Sequence, residues 1–147
     1  MQRAGRWNFE RRSPVGSEEI RRLLTALLES SGAAWEQADG WICFRLSKDG
    51  AVWDMACRCL TGRMLAYGRL PLRAADRDEA CRRCSQVNGQ VIRGAMFLSE
   101  EGWPVFRTEA ELPDPYDGAR LVREAIEYNA AVLCRFWRLF APEHPTL

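Results

Sequence analysis

The sequence has almost no lysine or histidine. Of 147 residues, twenty are arginine, one is lysine (Lys48) and one is histidine (His144). His144 lies between Pro142 and Pro145, outside any predicted element, so neither histidine acid–base catalysis nor a Cys–His pair is expected. The sequence also lacks a glycine-rich phosphate loop ending in Lys-Ser or Lys-Thr. These absences argue against an enzyme, and no cofactor is expected.

Long hydrophobic runs are also absent. The longest are Leu23–Leu28, interrupted by Thr25, and Ala130–Cys134, far short of the ~20 residues that a membrane span needs. Residues 1–12 lack the continuous apolar core of a secretory signal. Six cysteines without an export signal favour a reducing compartment. We therefore expect a cytoplasmic protein with no membrane partner.

The net charge of +1 conceals an uneven distribution. Residues 58–93 contain eight arginines and three acids, whereas residues 99–117 contain six acids and one arginine. Nucleic acid binding needs one continuous basic face. Such a dipolar surface instead favours self-association or an oriented protein partner.

Hydrophobic periodicity predicts eight elements. Ser17 is predicted to cap a helix whose apolar stripe runs to Leu28, with Gly32 as its left-handed end. Alternation and turn signals then predict three strands in a meander, with a hairpin turn at Lys48-Asp49-Gly50. The remaining predicted elements are a helix over 76–88 capped by Asp76, strands over 93–98 and 103–108, and a long helix over 119–140.

This order predicts an α+β fold with an antiparallel sheet covered by helices on one face. The predicted elements follow one another as helix, three strands, helix, two strands and helix, and the chain contains no repeat or linker. We expect an N-terminal tail over 1–16, a single domain over 17–140 and a C-terminal tail over 141–147.

The second half of the chain resembles the YbjN-like family of bacterial proteins, described as sensory transduction regulators. The residues that carry the resemblance are Val87-Asn88 at a helix end, Gly94-Ala95-Met96-Phe97-Leu98, an acidic turn with Gly102, Val105-Phe106-Arg107, and a long helix from near Gly118. That family's fold is similar to class I type III secretion chaperones, which are small homodimers. The resemblance implies a non-enzymatic chaperone or regulator, and it supplies no catalytic residues.

Four cysteines permit a second interpretation. Cys57-x-Cys59 and Cys81-x-x-Cys84 together offer enough thiols for a zinc site or a redox pair. Cys57 and Cys59, however, share a predicted inward strand face with Trp53 and Met55, and cysteine is often buried without a metal. Core packing is therefore the favoured interpretation, and a cysteine-based zinc or redox-responsive regulator is the alternative function.

The predicted outer face of the sheet is the candidate site for binding a partner. Strand alternation places several apolar side chains there among charged ones, and such a patch is typical of a protein interface. The alternatives are an error in strand parity or a helix covering this face as well. We expect the face to hold a segment of a partner protein, and we expect a homodimer with its contact at Arg82 and Arg83. The partner-binding residues are predicted to be Trp41, Val52, Leu65, Tyr67 and Trp103.

Overall fold

A computed structural model describes residues 13–141 of the chain. Residues 1–12 and 142–147, with His144 and most of both predicted tails, lie outside the described residues. None of the helices within 13–141 is long and apolar enough to cross a lipid bilayer. The elements are α1 (Ser17–Ser30), β1 (Trp35–Ala38), β2 (Trp41–Lys48), β3 (Ala51–Leu60), β4 (Arg63–Arg69), α2 (Arg77–Asn88), β5 (Ala95–Leu98), β6 (Pro104–Glu111), α3 (Gly118–Phe136) and a 3₁₀ turn (Trp137–Leu139).

The six strands form one antiparallel sheet in the order β1-β2-β3-β4-β6-β5. The predicted α+β class is therefore confirmed, including the helices that pack on the sheet. β6 lies between β4 and β5 rather than at an edge. Pro104 is compatible with this position because it is the first residue of the strand, where a missing N–H costs least.

β1 is the element that the sequence analysis missed. It is four residues long and carries Glu36 and Gln37, which are poor strand formers. It pairs with β2 through the turn Asp39-Gly40, whose φ values of 51° and 82° are both positive. This is the geometry that a two-residue hairpin favours, and the predicted turn at Asp49-Gly50 has it too, with φ values of 51° and 83°.

The helix ends differ from prediction in two places. Gly16, not Ser17, is the N-cap of α1 and makes no side-chain cap bond; its carbonyl accepts from the Ile20 N–H. α3 changes to a 3₁₀ turn after Phe136 instead of continuing to residue 140. The prediction for α2 is confirmed, because the Asp76 side chain accepts a hydrogen bond from the Glu79 N–H.

The helices cover one face of the sheet, and the hydrophobic core lies between the helices and the sheet. Trp53 is 1% exposed there, and Cys57 and Cys59 lie on the same buried side, as their parity predicts. The fold also includes part of the predicted N-terminal tail. Val15 is buried, its N–H donates to the Leu112 carbonyl and its carbonyl accepts from the Gly62 N–H.

α3 packs closely on the sheet at Gly68 of β4. A Cβ at this position would overlap the Asn129 side-chain oxygen and would lie 2.5 Å from Leu133 Cδ1. Asn129 is fully buried, and its Nδ2 donates to the carbonyls of Ala66 and Phe106 and to Thr108 Oγ1, at 2.9–3.2 Å. The absence of a side chain at Gly68 therefore allows a buried amide to join the helix to two central strands.

We predict that Gly68→Ala destabilises the fold by about 1–3 kcal/mol, because the added methyl group overpacks this contact. Gly89→Ala is the matched control: Gly89 has φ of −72° and a Cβ there meets no atom closer than 3.6 Å, so it should be neutral or slightly stabilising. Urea unfolding of the two variants checks this. Equal stability would contradict the close approach of α3 at Gly68.

Candidate functional site

The open face of the sheet is the side opposite the helices. Trp41, Val52, Leu65 and Tyr67 lie on it, as strand parity predicts, since the paired register places them with the charged side chains of each strand. Val52 is 41% exposed, and the other three are half-buried. Within residues 13–141 the strand parity is as predicted. No helix covers this face there, because α1, α2 and α3 pack on the other face.

A row of three charges crosses the centre of the open face. Arg45, Asp54 and Arg69 are directly opposite one another on β2, β3 and β4. Arg45 Nε donates to Asp54 Oδ1 at 3.0 Å, and Arg69 Nη2 donates to Oδ2 at 3.2 Å. One carboxylate shared by two guanidinium groups leaves net positive charge, and both arginines keep free N–H groups toward solvent.

Aromatic side chains lie on both sides of this row. Trp41 contacts Tyr67 edge to face, with ring centroids 5.5 Å apart, and the Arg58 guanidinium lies 5.3 Å from the Trp41 ring. Trp103, just before β6, packs under Arg69 with 4.6 Å between Cζ and the ring centroid. Stacked aromatic and guanidinium groups are frequent at protein interfaces.

The open face contains a cavity of about 760 Å³. Its apolar part includes Ala56, Tyr67, Phe97 and Val105, with Cys43 beside them. Charged groups also line it: Glu36, Arg45, Asp54 and Arg69. Because every strand of the sheet contributes a lining residue, the open face is concave. It is therefore a concavity with a mixed lining, in which the apolar row of Cys43, Ala56 and Tyr67 lies beside the charged row of Arg45, Asp54 and Arg69.

The structure separates the predicted binding residues into two groups. Tyr67 lines the cavity, whereas Trp41, Val52, Leu65 and Trp103 do not. Trp41 still reaches it indirectly through its contact with Tyr67.

Sequence reasoning missed Phe97, Val105 and Glu36. The alternation in β5 and β6 contained the signal for Phe97 and Val105, and the Asp39-Gly40 turn contained the signal for β1 and therefore for Glu36.

Arg82 and Arg83, the predicted dimer contact, lie on the outer surface of α2. Arg82 Nη2 lies 2.7 Å from Glu79 Oε2, and Arg83 Nε lies 3.0 Å from Glu79 Oε1. The two arginines thus share one carboxylate one turn away on the same helix. Exposed pairs of this kind contribute little to stability.

The cysteines are not brought together. Cys57 and Cys59 lie on β3, Cys81 and Cys84 on α2, and residues 13–141 contain no group of three or more His, Cys, Asp or Glu side chains placed to hold a metal ion. All six cysteines are free. Burial raises the pKa of Cys57 far above its ordinary range, and burial followed by the nearby Cys81 raises the pKa of Cys84 to about 11. Such thiols are weak nucleophiles and poor ligands, since the thiolate is the reactive form.

Comparison with protein-family models, curated proteins and solved structures finds no match to this chain. The resemblance to the YbjN-like family therefore depends on the sequence motifs alone.

We predict that Cys84 makes the stability of the fold sensitive to alkaline pH. Its pKa is raised from 9.0 to about 11, so the unfolded chain loses this proton first. The stabilisation that the protonated Cys84 thiol gives the folded state is present below about pH 9 and is lost as the pH rises toward 11. Urea unfolding at about pH 8 and pH 10.5 should therefore show that the free energy of unfolding falls more for the wild type than for Cys84→Ala. Equal losses in both proteins would contradict it.

Proposed function

We propose that this protein is a non-enzymatic binding module that holds a segment of a partner protein on the open face of its sheet. The observation that carries the proposal is the 760 Å³ concavity on that face, which no element of residues 13–141 covers. Apolar surface bordered by charged groups is typical of protein interaction sites. An extended segment placed there buries apolar side chains against Tyr67 and Phe97, which is 38% exposed.

The charges of the open face support a protein segment rather than a nucleic acid. Arg45 and Arg69 share Asp54, and Arg63 lies 3.5 Å from Glu109. Positive and negative groups therefore alternate across the face. Carboxylates among the arginines repel a phosphate backbone, which is bound by a continuous basic surface. An extended peptide with its own mixed charges matches this pattern better.

The more specific parts of this function are also proposals. A chaperone or regulatory role, the family resemblance, a homodimer with Arg82 and Arg83 at its contact, and a cytoplasmic location are all consistent with a module of this size. The open face of the fold is what supports a chaperone-like role, since it offers an uncovered surface for an unfolded segment.

A cysteine-based zinc or redox-responsive regulator is the second candidate. It receives less support, because the four thiols lie on two separate elements and Cys57 and Cys84 are held in the protonated form by burial. Cys81 is the exposed member of the set.

We predict that Ala56→Glu abolishes partner capture. Ala56 lines the cavity near Asp54, so a second carboxylate there fills the apolar space and repels the first. The measurement is affinity capture with the purified, tagged protein from cells that express it naturally, followed by mapping of the bound segment through truncation of the partner. Loss of a specific partner from this variant alone, at unchanged thermal stability, is the expected result.

The matched control is Ile92→Glu, because Ile92 is 95% exposed and lies away from the cavity. This variant should retain the partner fully. If both variants capture the same proteins in the same amounts, the open face does not bind the partner and the proposal is wrong.

A further inference from the structure

A second binding surface lies at the edge of the sheet where β5 stops. β6 extends from Pro104 to Glu111, but β5 pairs with it only between Pro104 and Arg107. Within residues 13–141, no strand lies beside Thr108–Glu111 on that side. Half of an internal strand therefore has a free edge.

The backbone groups at this free edge can be identified from hydrogen bonds. The Asn88 side chain accepts from the Met96 N–H at 2.7 Å and donates to the Met96 carbonyl at 2.9 Å. The backbone of Met96 therefore points away from β6, and those of its neighbours Ala95 and Phe97 point toward it. Their partners in β6 are Arg107 and Val105.

Continuing this alternation along β6, the N–H and C=O groups of Glu109 and Glu111 face the same side as those of Arg107. The opposite parity points toward β4, as the bond from the Leu112 N–H to the Gly62 carbonyl shows. Four backbone groups, on Glu109 and Glu111, are therefore available to an added strand. By contrast, Asn88 occupies the outer edge of β5, so that edge is protected.

The free edge borders a groove of about 460 Å³. Leu121, Ala125 and Tyr128 of α3 form its apolar wall. The chain leaves the line of β5 at Gly94, which has φ of +85° and where a Cβ would lie 2.8 Å from the Arg107 carbonyl oxygen. The groove thus continues the line of β5 and has room for a strand.

We propose that this groove binds an extended segment of another protein that carries the pattern basic–apolar–basic. The added strand runs antiparallel to β6. Its central residue is opposite Ala110 on the helix side and packs against Leu121 and Ala125. Its two flanking residues are on the open-face side opposite Glu109 and Glu111. Basic side chains there meet the Glu111 carboxylate and share the Glu109 carboxylate with Arg63, which lies 3.5 Å from it.

The same charges disfavour a second copy of this chain as the occupant. Antiparallel pairing of this edge with itself places Glu109 and Glu111 against the same residues of the copy, and like charges directly opposite are destabilising.

The groove is also separate from the open-face cavity, because the two share no lining residue. The inference therefore does not depend on the proposed function, and each is tested by its own variant.

The test is a titration of the full-length protein with the blocked peptide Ser-Arg-Leu-Arg-Ser, followed by amide NMR shifts. We expect the largest shifts at Glu109 and Glu111, and weaker binding of Ser-Glu-Leu-Glu-Ser. Methylating the backbone nitrogen of either arginine should abolish binding, because that N–H faces β6. Methylating the leucine nitrogen should leave binding unchanged, because that N–H points outward.

Two protein variants complete the test. Glu111→Arg should weaken the arginine peptide about fivefold and strengthen the glutamate peptide, while Leu121→Arg, which fills the groove, should abolish binding of both. Ala56→Glu should bind as the wild type does. The proposal is overturned if the amide signals of Glu109 and Glu111 do not shift. It is also overturned if the three N-methylated peptides and the glutamate peptide all bind as tightly as Ser-Arg-Leu-Arg-Ser. A third contrary result is a dimer of the free protein, detected by dilution, in which this edge is already paired.

Discussion

The arrangement of this protein depends on one packing constraint: the three helices of residues 13–141 share a single face of the six-stranded sheet. α1 and α3 pack on the central strands β3, β4 and β6, and α2 packs on β5. The close contact of α3 at Gly68, with the Asn129 amide bonded to carbonyls of β4 and β6, holds the longest helix against the middle of the sheet. With all helices on that side, the other side has no cover within residues 13–141.

The uncovered side of the sheet carries both charged and apolar side chains toward solvent. Directly opposed charges such as Arg45, Asp54 and Arg69 alternate with small or aromatic residues such as Ala56 and Tyr67. Ala56 leaves space beside Tyr67, and the curvature of the sheet makes the concavity. Mixed charge disfavours association of this surface with copies of itself, while the apolar part remains available to a partner.

Most of the fold could be predicted from the sequence because period-2 alternation is regular in β2, β3 and β4. The same alternation correctly placed Trp41 and Tyr67 on the outer side. β1 was missed because Glu36 and Gln37 give it little strand propensity, although Asp39-Gly40 is a strong hairpin signal. The cavity could not be predicted, since it arises from the curvature of the sheet, which brings Glu36 of one edge strand and Phe97 of the other to the same space.

The central claim is that the open face is an accessible concavity with a mixed lining. The most direct measurement is a titration of the wild-type protein with anilinonaphthalene sulfonate, an aromatic anion, followed by amide NMR shifts. The account predicts shifts that cluster at Cys43, Ala56, Tyr67 and Phe97, with enhanced dye fluorescence in the folded protein. No enhancement, or shifts confined to α1 and α3, would contradict it.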